Sequence, residues 1–324
     1  MSYYLSFIMS LVIMLLITPK LTKLAHKLNY IEKPNPGSER KIHMEDKAYL
    51  AGVGIFFTFW FCYFVFTGDF SRKSVVMVIS SFLIWGIGMV DDWFKIRGGD
   101  LKALPKMLVQ LSACVILVYF TNLKFLGITN PFDDSYVLFP VWLQFLLSVL
   151  WLFGVTTVIN FSDGLDGLAG GISCISAGTL FVVSLARENS ILAIMSITLV
   201  GICIGYLKYN KYPAKILMGD AGATFLGFIL AIISLDGAFK QATVVSIFIP
   251  ILALGLPIFD NIFVVIKRIR EGRRIYVGDS SQIHYRLIAK GLTQKQTVYI
   301  LYLVCICLNL SAIILLLIGV IGGQ

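Results

Sequence analysis

Apolar residues fall along this chain in long unbroken blocks separated by short polar segments. The blocks lack the period-of-two alternation that marks barrel strands. A hydrocarbon core about 30 Å thick is crossed by roughly 20 apolar residues of helix. Backbone polar groups inside lipid must be satisfied within the span itself, which favours helices for blocks of this kind. The pattern predicts about ten spans, near residues 3–19, 48–67, 74–90, 106–121, 138–158, 168–186, 190–207, 221–235, 242–264 and 297–321. The first is not read as a signal peptide, because Met1 to Ser6 carry no basic residue and Lys20 follows the apolar run. No linker, low-complexity tract or repeat divides the chain, so residues 1–324 are expected to form one domain, an all-α polytopic membrane protein.

Composition agrees with that reading. Of 324 residues, 58% are hydrophobic and 14% charged, where a soluble domain carries about 25% charged residues. The six cysteines, Cys62, Cys114, Cys174, Cys203, Cys305 and Cys307, all fall in predicted spans. Their spacing fits neither a zinc ribbon nor a secreted disulfide framework, and apolar packing accounts for them.

The net charge of +9 raises the question of nucleic acid, but its distribution points to membrane orientation. With the N-terminus outside and the spans alternating, the inner segments hold seven, four, three and eight basic residues, 22 in all, against five outside. This is the positive-inside bias, with both termini outside. No basic face with base-stacking or groove-reading elements is present, so no nucleic-acid partner is expected. Asp91, Asp92, Asp163, Asp166, Asp220, Asp260 and Asp279 lie on the same, cytoplasmic side, in loops or at span ends. Any chemistry is therefore expected to face the cytoplasm.

Four constellations carry candidate chemistry. Gly88-Met89-Val90-Asp91-Asp92 is followed by Lys106 and Gln110. Adjacent carboxylates at a membrane-helix end are costly near lipid; they could ligate Mg²⁺, accept a proton, or simply be a solvated helix end. The second is Asn160-Phe161-Ser162-Asp163-Gly164-Leu165-Asp166-Gly167-Leu168-Ala169-Gly170-Gly171. Asp163 and Asp166 would share a face on a helix, the glycines permit close approach of a ligand, and a helix start offers amides to an anion. Packing between spans explains the glycines but leaves the two carboxylates and the amide beside them without a purpose. The third runs from Asn210 through Pro213 and Lys215 to Met218-Gly219-Asp220-Ala221-Gly222-Ala223-Thr224. A lone Asp between glycines suits a turn, but Asp220 precedes an apolar helix, where a metal could meet a diphosphate. The fourth begins at Pro257-Ile258-Phe259-Asp260, passes through the basic stretch Lys267 to Arg274, and ends at Asp279-Ser280-Ser281-Gln282-Ile283-His284-Tyr285-Arg286-Leu287. Arg286 suits bidentate phosphate binding. His284 could donate to phosphate or sugar, or could serve as a structural hydrogen-bonder.

Together these blocks resemble the polyprenyl-phosphate N-acetylhexosamine-1-phosphate transferase family, over roughly Lys33 to Gln296. The most specific pieces are NFSDGLDGLAGG and ILMGDAGATFLGF. The resemblance implies about ten membrane helices around a cytoplasmic-side catalytic cleft in the bacterial cytoplasmic membrane. It further implies Mg²⁺-dependent transfer, with Mn²⁺ as a substitute cation, of an amino-sugar-1-phosphate from a UDP-sugar to undecaprenyl phosphate, releasing UMP. Within the family the chain is more similar to the N-acetylglucosamine-1-phosphate branch that starts teichoic acid or O-antigen synthesis. The muramoyl-pentapeptide branch carries consecutive histidines in the last cytoplasmic loop, where this chain has His284 alone. The chain also departs from the first branch, with Gln282 and Tyr285 in place of histidines, and with Lys41-Ile42-His43 leading to Ala51-Gly52 where a proline and a paired glycine are usual.

Carried over by motif, Asp220 is the expected metal ligand. Asp91 or Asp92 would deprotonate or position the lipid phosphate, with Lys106 offsetting its charge. Asn160, Asp163, Gly164, Asp166 and Asn210 would hold the nucleotide, and His284 and Arg286 would contact the sugar or its phosphate. An isologous homodimer is common for such folds, although no residue here requires one. A transporter would place its ionisable groups near mid-membrane on broken helices, whereas here they cluster at span ends on one side. A non-catalytic scaffold would leave the carboxylates unexplained.

Overall fold

In lipid, a peptide carbonyl released from its helix has to find another donor, and in two places in this bundle a hydroxyl from a neighbouring helix supplies it. The computed structural model describes residues 2–32, 46–99, 101–129, 135–238, 244–273 and 281–321. The elements in chain order are α1 (Ser2–Lys27), β1 (Ile31–Glu32), β2 (Lys47–Ala48), α2 (Ala51–Thr67), α3 (Arg72–Ile96), α4 (Ala103–Thr121), β3 (Gly127–Thr129) and β4 (Tyr136–Leu138). They continue with α5 (Val141–Phe161), α6 (Leu168–Ala186), α7 (Ser190–Asn210), α8 (Gly219–Ala238), α9 (Val244–Ala253), α10 (Gly255–Arg270), α11 (Ile283–Ala289) and α12 (Gln294–Ile321). Eight helices, α1, α3 to α8 and α12, are each long and apolar enough to cross a membrane, and α2 is a shorter apolar helix of 17 residues. The expected polytopic all-α architecture is found.

The ninth span departs from expectation. Residues 242–264 read as one helix, but α9 and α10 meet at an angle of 83°. Pro257 explains the break. In a continuous helix its amide would bond the carbonyl of Ala253, four residues back, and proline has no N–H to give. The hydroxyl of Ser176 on α6 donates to that carbonyl instead, at 2.6 Å. Pro19 inside α1 leaves the carbonyl of Leu15 without its donor in the same way, and the Tyr209 hydroxyl on α7 donates to it at 3.0 Å. There the helix continues; at Pro257 it turns.

At the centre of the bundle stands α8, with every residue from Ala221 to Asp236 buried. Small residues let its neighbours approach closely, as at packed membrane interfaces generally. A β-carbon on Gly88 of α3 would lie 2.5 Å from the Ala221 α-carbon, and one on Gly52 of α2 would lie 2.7 Å from the Gly222 amide nitrogen. The antiparallel neighbours α3 and α8 are tied at one end by an ion pair between Lys73 and Asp236. Nearby, the Tyr63 hydroxyl donates to Asp69 at 2.8 Å. Hydrogen bonds from the Ser74 hydroxyl first of all hold the Asp69 carboxyl down at about 2.

At the opposite end β1 pairs antiparallel with β2, Ile31 opposite Ala48 and Glu32 opposite Lys47. The Leu217 amide then donates to the Ala48 carbonyl at 2.7 Å, which joins this hairpin to the segment before α8. A second hairpin, β3 with β4, pairs Gly127 with Leu138. All six cysteines are free; Cys307 is exposed on the outer face of α12, Cys174 is half-buried and the other four are buried.

The glycine contacts give a paired test. Gly88→Ala forces a methyl group into the Ala221 backbone, which has no rotamer to change, and should cost about 1–3 kcal/mol of stability. Gly86, on the same helix, has open space around its α-carbon, so Gly86→Ala should be neutral or slightly stabilising. Thermal unfolding of the two variants in detergent compares them directly, and equal midpoints would remove the close approach as a source of stability.

Candidate active site

The first amides of an α-helix have no carbonyl within the helix to bond to. In α8 two of them are taken by a side chain of another helix. The Asp220 amide donates to Asp92 Oδ1 at 2.8 Å and the Ala221 amide to Asp92 Oδ2 at 3.1 Å. Asp92 is wholly buried. Gly219, at φ +66°, begins the helix in the left-handed region, and a β-carbon there would overlap the Asp92 carboxylate.

Asp91 is one residue earlier, about 100° around the same helix, and faces a different set of partners. Its Oδ2 is 2.8 Å from Lys106 Nζ and 3.2 Å from Lys95 Nζ. Both ammonium groups reach on to Asp220: Lys95 lies 2.6 Å from Oδ1, and Lys106 pairs with Oδ2. The Asn160 amide donates to the same Oδ2 at 3.3 Å. Carboxylates and lysines thus alternate around a ring built from the end of α3, the start of α4 and the start of α8, with the end of α5 beside it.

Asp163 stands just outside the ring, half-buried in the turn after α5. Burial pushes its carboxyl up to about 7, and the negative charge of Asp220 adds to the shift. With every group ionised, Asp91, Asp92, Asp163 and Asp220 set four negative charges against the two lysines. An ion-pair network of this kind, partly sealed from water, is costly unless the remaining charge is met.

Hard oxygen donors with excess negative charge fit a divalent cation. Among the described residues no three carboxylate, imidazole or thiolate side chains converge as a ready-made cage. Mg²⁺ does not need one, since it commonly takes one or two protein carboxylates and fills the rest of its shell with water and substrate phosphate. Asp91, Asp220 and the Asn160 side chain meet that requirement.

The segment 162–167, which falls between two predicted spans, is a run of turns and not a helix, so Asp163 and Asp166 do not share a helical face. Gly167, at φ +84°, breaks any helical path. Asp166 points away from the ring, with Oδ1 2.6 Å from the buried Lys47 ammonium and Oδ2 accepting from the Ala214 amide at 3.0 Å. Asn210 accepts from the Gly167 amide at 2.9 Å and donates to the Ile216 carbonyl at 2.9 Å. These two expected nucleotide-binding residues are used inside the protein, joining the 162–167 turn to the 211–217 segment. The Gly167 amide at the start of α6 is likewise already bonded and not free for an anion.

His284 is buried, and its ring lies so close to Gly164 that a β-carbon there would overlap Nε2. Among the described residues that nitrogen has no hydrogen-bond partner. Burial holds the imidazole down at about 4, which keeps it neutral near pH 7. Arg286 bonds Asp260 at 3.2 Å and stacks on Phe263, with its guanidinium carbon 4.1 Å from the ring centre. Asp260 also accepts the Ile283 amide at 2.9 and 3.1 Å, so it caps α11 and pins the segment that carries His284. Asp279 and Arg274 lie outside the described residues.

The structure therefore brings Asp91, Asp92, Lys106, Asn160, Asp163 and Asp220 together, sets Gly164 and His284 beside them, and places Asp166, Asn210 and Arg286 in supporting contacts. Two residues escaped the sequence reading. Lys95 was legible as the i+4 partner of Asp91. Lys47 gave no local signal, because its partner lies 119 residues away.

A bundle that crosses the membrane many times and gathers its carboxylates and lysines where spans end is built as a membrane enzyme, and comparison with known proteins gives its class, a sugar-phosphate transferase. The chain belongs to glycosyl transferase family 4, whose model matches residues 74–238. It is 36% identical to a probable undecaprenyl-phosphate N-acetylglucosaminyl 1-phosphate transferase of Bacillus subtilis (strain 168), over 96% of this chain and 84% of that one. A decaprenyl-phosphate N-acetylglucosaminephosphotransferase of Mycobacterium tuberculosis (strain ATCC 25618 / H37Rv) is 29% identical over 86% of this chain and 74% of its own. A phospho-N-acetylmuramoyl-pentapeptide-transferase of Prochlorococcus marinus (strain MIT 9215) is 28% identical over 95% and 89%.

Asp163 makes a pH test possible. Its carboxyl sits at about 7 in the folded protein against an ordinary value of 3.8, so folding favours the protonated form. Its stabilising contribution is complete below about pH 4 and is lost as pH rises through about 7. The thermal midpoint of the protein in detergent, without divalent cation, should fall between about pH 4 and 7, and Asp163→Asn should flatten that fall. An unchanged slope in the variant would take Asp163 out of the charge balance.

Proposed function

We propose that this protein transfers N-acetylglucosamine-1-phosphate, or a closely related amino-sugar-1-phosphate, from a UDP-sugar to undecaprenyl phosphate and releases UMP. The product would be the first lipid-linked intermediate of an envelope polymer of teichoic acid or O-antigen type. The observation that carries this reading is the ring of Asp91, Lys95, Lys106 and Asp220 at the ends of spanning helices. A site there can be reached both by a water-soluble nucleotide and by the headgroup of a lipid that cannot leave the bilayer. The positive-inside charge distribution supports a bacterial cytoplasmic membrane with the site facing the cytoplasm and both termini outside. An isologous dimer is the assembly we expect.

Phosphoryl-type transfer depends on positioning and on neutralising charge. Asp92 is committed to the α8 amides, which leaves Asp91 as the carboxylate able to orient the lipid phosphate or take its proton. Lys106 and Lys95, released in part from Asp91 and Asp220, offset the charge of two anionic substrates. Mg²⁺, or Mn²⁺ in its place, would be held by Asp220 with Asp91 and Asn160 beside it, and would supply charge neutralisation for the donor diphosphate. Asp163 and the neutral His284 flank the donor side, while Asp166, Asn210 and Lys47 keep the wall of the site in place. An oxygen of the lipid phosphate attacks the sugar-linked phosphorus, the bond to the UMP oxygen breaks, and UMP departs with that electron pair.

Purified protein given undecaprenyl phosphate, Mg²⁺ and UDP-N-acetylglucosamine should release UMP. With UDP-N-acetylmuramoyl-pentapeptide it should release far less; the reverse preference would move it to the peptidoglycan branch, release with neither donor would point to an unusual UDP-sugar, and failure across a wider donor panel would bring the transporter reading forward. Asp220→Asn should lower turnover at least ~10²-fold, as loss of a group stabilising transition-state charge commonly does, with the thermal midpoint largely kept.

A further inference from the structure

The 162–167 turn carries Asp163 into the site, yet it has few hydrogen bonds of its own. Those within it are local, from the Ser162 amide to the Ile159 carbonyl at 3.0 Å, from Asp163 to Asn160 at 3.2 Å and from Leu168 to Leu165 at 3.0 Å. Its position is therefore set largely by its neighbours, and the last two helices supply two of the contacts. On α11, His284 lies against Gly164. On α12, the Tyr302 hydroxyl donates to the Gly167 carbonyl at 2.6 Å.

The second contact has a space made for it. Gly171, one helical turn after Gly167, lies beneath the Tyr302 ring, and a β-carbon there would overlap both the ring and its hydroxyl. Gly167 is then held on both sides, its amide by Asn210 of α7 and its carbonyl by Tyr302 of α12. That carbonyl also accepts the Gly171 amide at 2.9 Å, the first bond of α6, so it remains satisfied without the tyrosine. The extra donor therefore adds little to the helix and bears mainly on where the turn sits.

We propose that Tyr302 is a positioning residue: with His284 it clamps the Asp163–Gly167 turn against the active site, and the affinity for the nucleoside-diphosphate donor depends on that clamp. This rests on the transferase reading above and assigns to α12 a part in donor binding that no motif in its sequence indicates. Tyr302 does not touch the carboxylate ring, so its effect must pass through the turn.

Tyr302→Phe keeps the ring and removes only the hydroxyl. In the purified full-length protein, hydrogen exchange of peptides covering 162–168 should become faster, while peptides of α3 and α8 should be unchanged. The KM for the UDP-sugar should rise about three- to tenfold, the range a single hydrogen bond governs, with kcat and the KM for the lipid acceptor nearly constant. Tyr299→Phe, on the exposed face of the same helix, should change neither readout. Unaltered exchange in the 162–168 turn would overturn the clamp whatever the activity. Faster exchange with equal losses in both KM values would also overturn it, reducing Tyr302 to a general structural role. A wild-type protein that releases no UMP with any donor would instead refute the transferase reading, and with it the donor-affinity half of the proposal, while the exchange result still decides whether the clamp exists.

Discussion

A helix buried on every side cannot give its first amides to water, and α8 is such a helix. Asp92 takes two of them, and this one arrangement sets the geometry of everything near it. It fixes the height of α3 against α8, so that Asp91 and Asp220 face the same space. It adds a negative charge at the positive end of the α8 dipole, where such a charge is favourable. The Gly219 backbone conformation and the missing side chain at Gly88 both serve this contact, the first by bending the chain into the carboxylate and the second by letting the helices meet. Neighbouring identical residues thus take separate jobs: one builds the scaffold and the other is left for chemistry.

Having placed several carboxylates together, the fold supplies too few cations to balance them. Lys95 and Lys106 each bridge two acids, which holds the ring in shape before any substrate arrives. Beside the ring, Asp163 retains its proton to about 7, through burial first and the negative charge of Asp220 second. A site arranged this way is stabilised by whatever brings positive charge into it. The same lysines that lock the ring are the groups that anionic substrates would recruit.

Much of this was legible in the sequence, in proportion to how local the cause is. Apolar blocks marked the spans, because the thickness of the bilayer imposes their length regardless of tertiary contacts. Asp91, Lys106, Asn160 and Asp220 were legible as polar residues at span ends, where an unpaired acid has no inexpensive structural reason. How Asp163 stands to Asp166 was not legible, because i and i+3 spacing says nothing about whether a helix is present, and Gly167 breaks the helical path. The bend at Leu254 lies just before Pro257, but proline alone does not decide it, since the carbonyls freed by Pro257 and by Pro19 both find a hydroxyl donor. Pro19 carries the same signal and the helix runs on. Lys47 and Tyr302 matter only through partners far along the chain, and no single-sequence pattern contains that information.

The ion pair of Lys73 with Asp236 acquires a different significance beside the Asp92 contact. These two ties lie at opposite ends of α3 and α8, with close glycine packing between them. Sliding or tilting one helix past the other would break both ties at once, so the pair behaves as a rigid strut through the membrane. The bent α10 and the short α11 are joined by the carboxylate of Asp260 and by the stacking of Arg286 on Phe263, a lighter connection than the packed length of α3 and α8. Precision at the site therefore rests on the pair of α3 and α8, and a substitution that loosens either tie should displace Asp91 and Asp220 together.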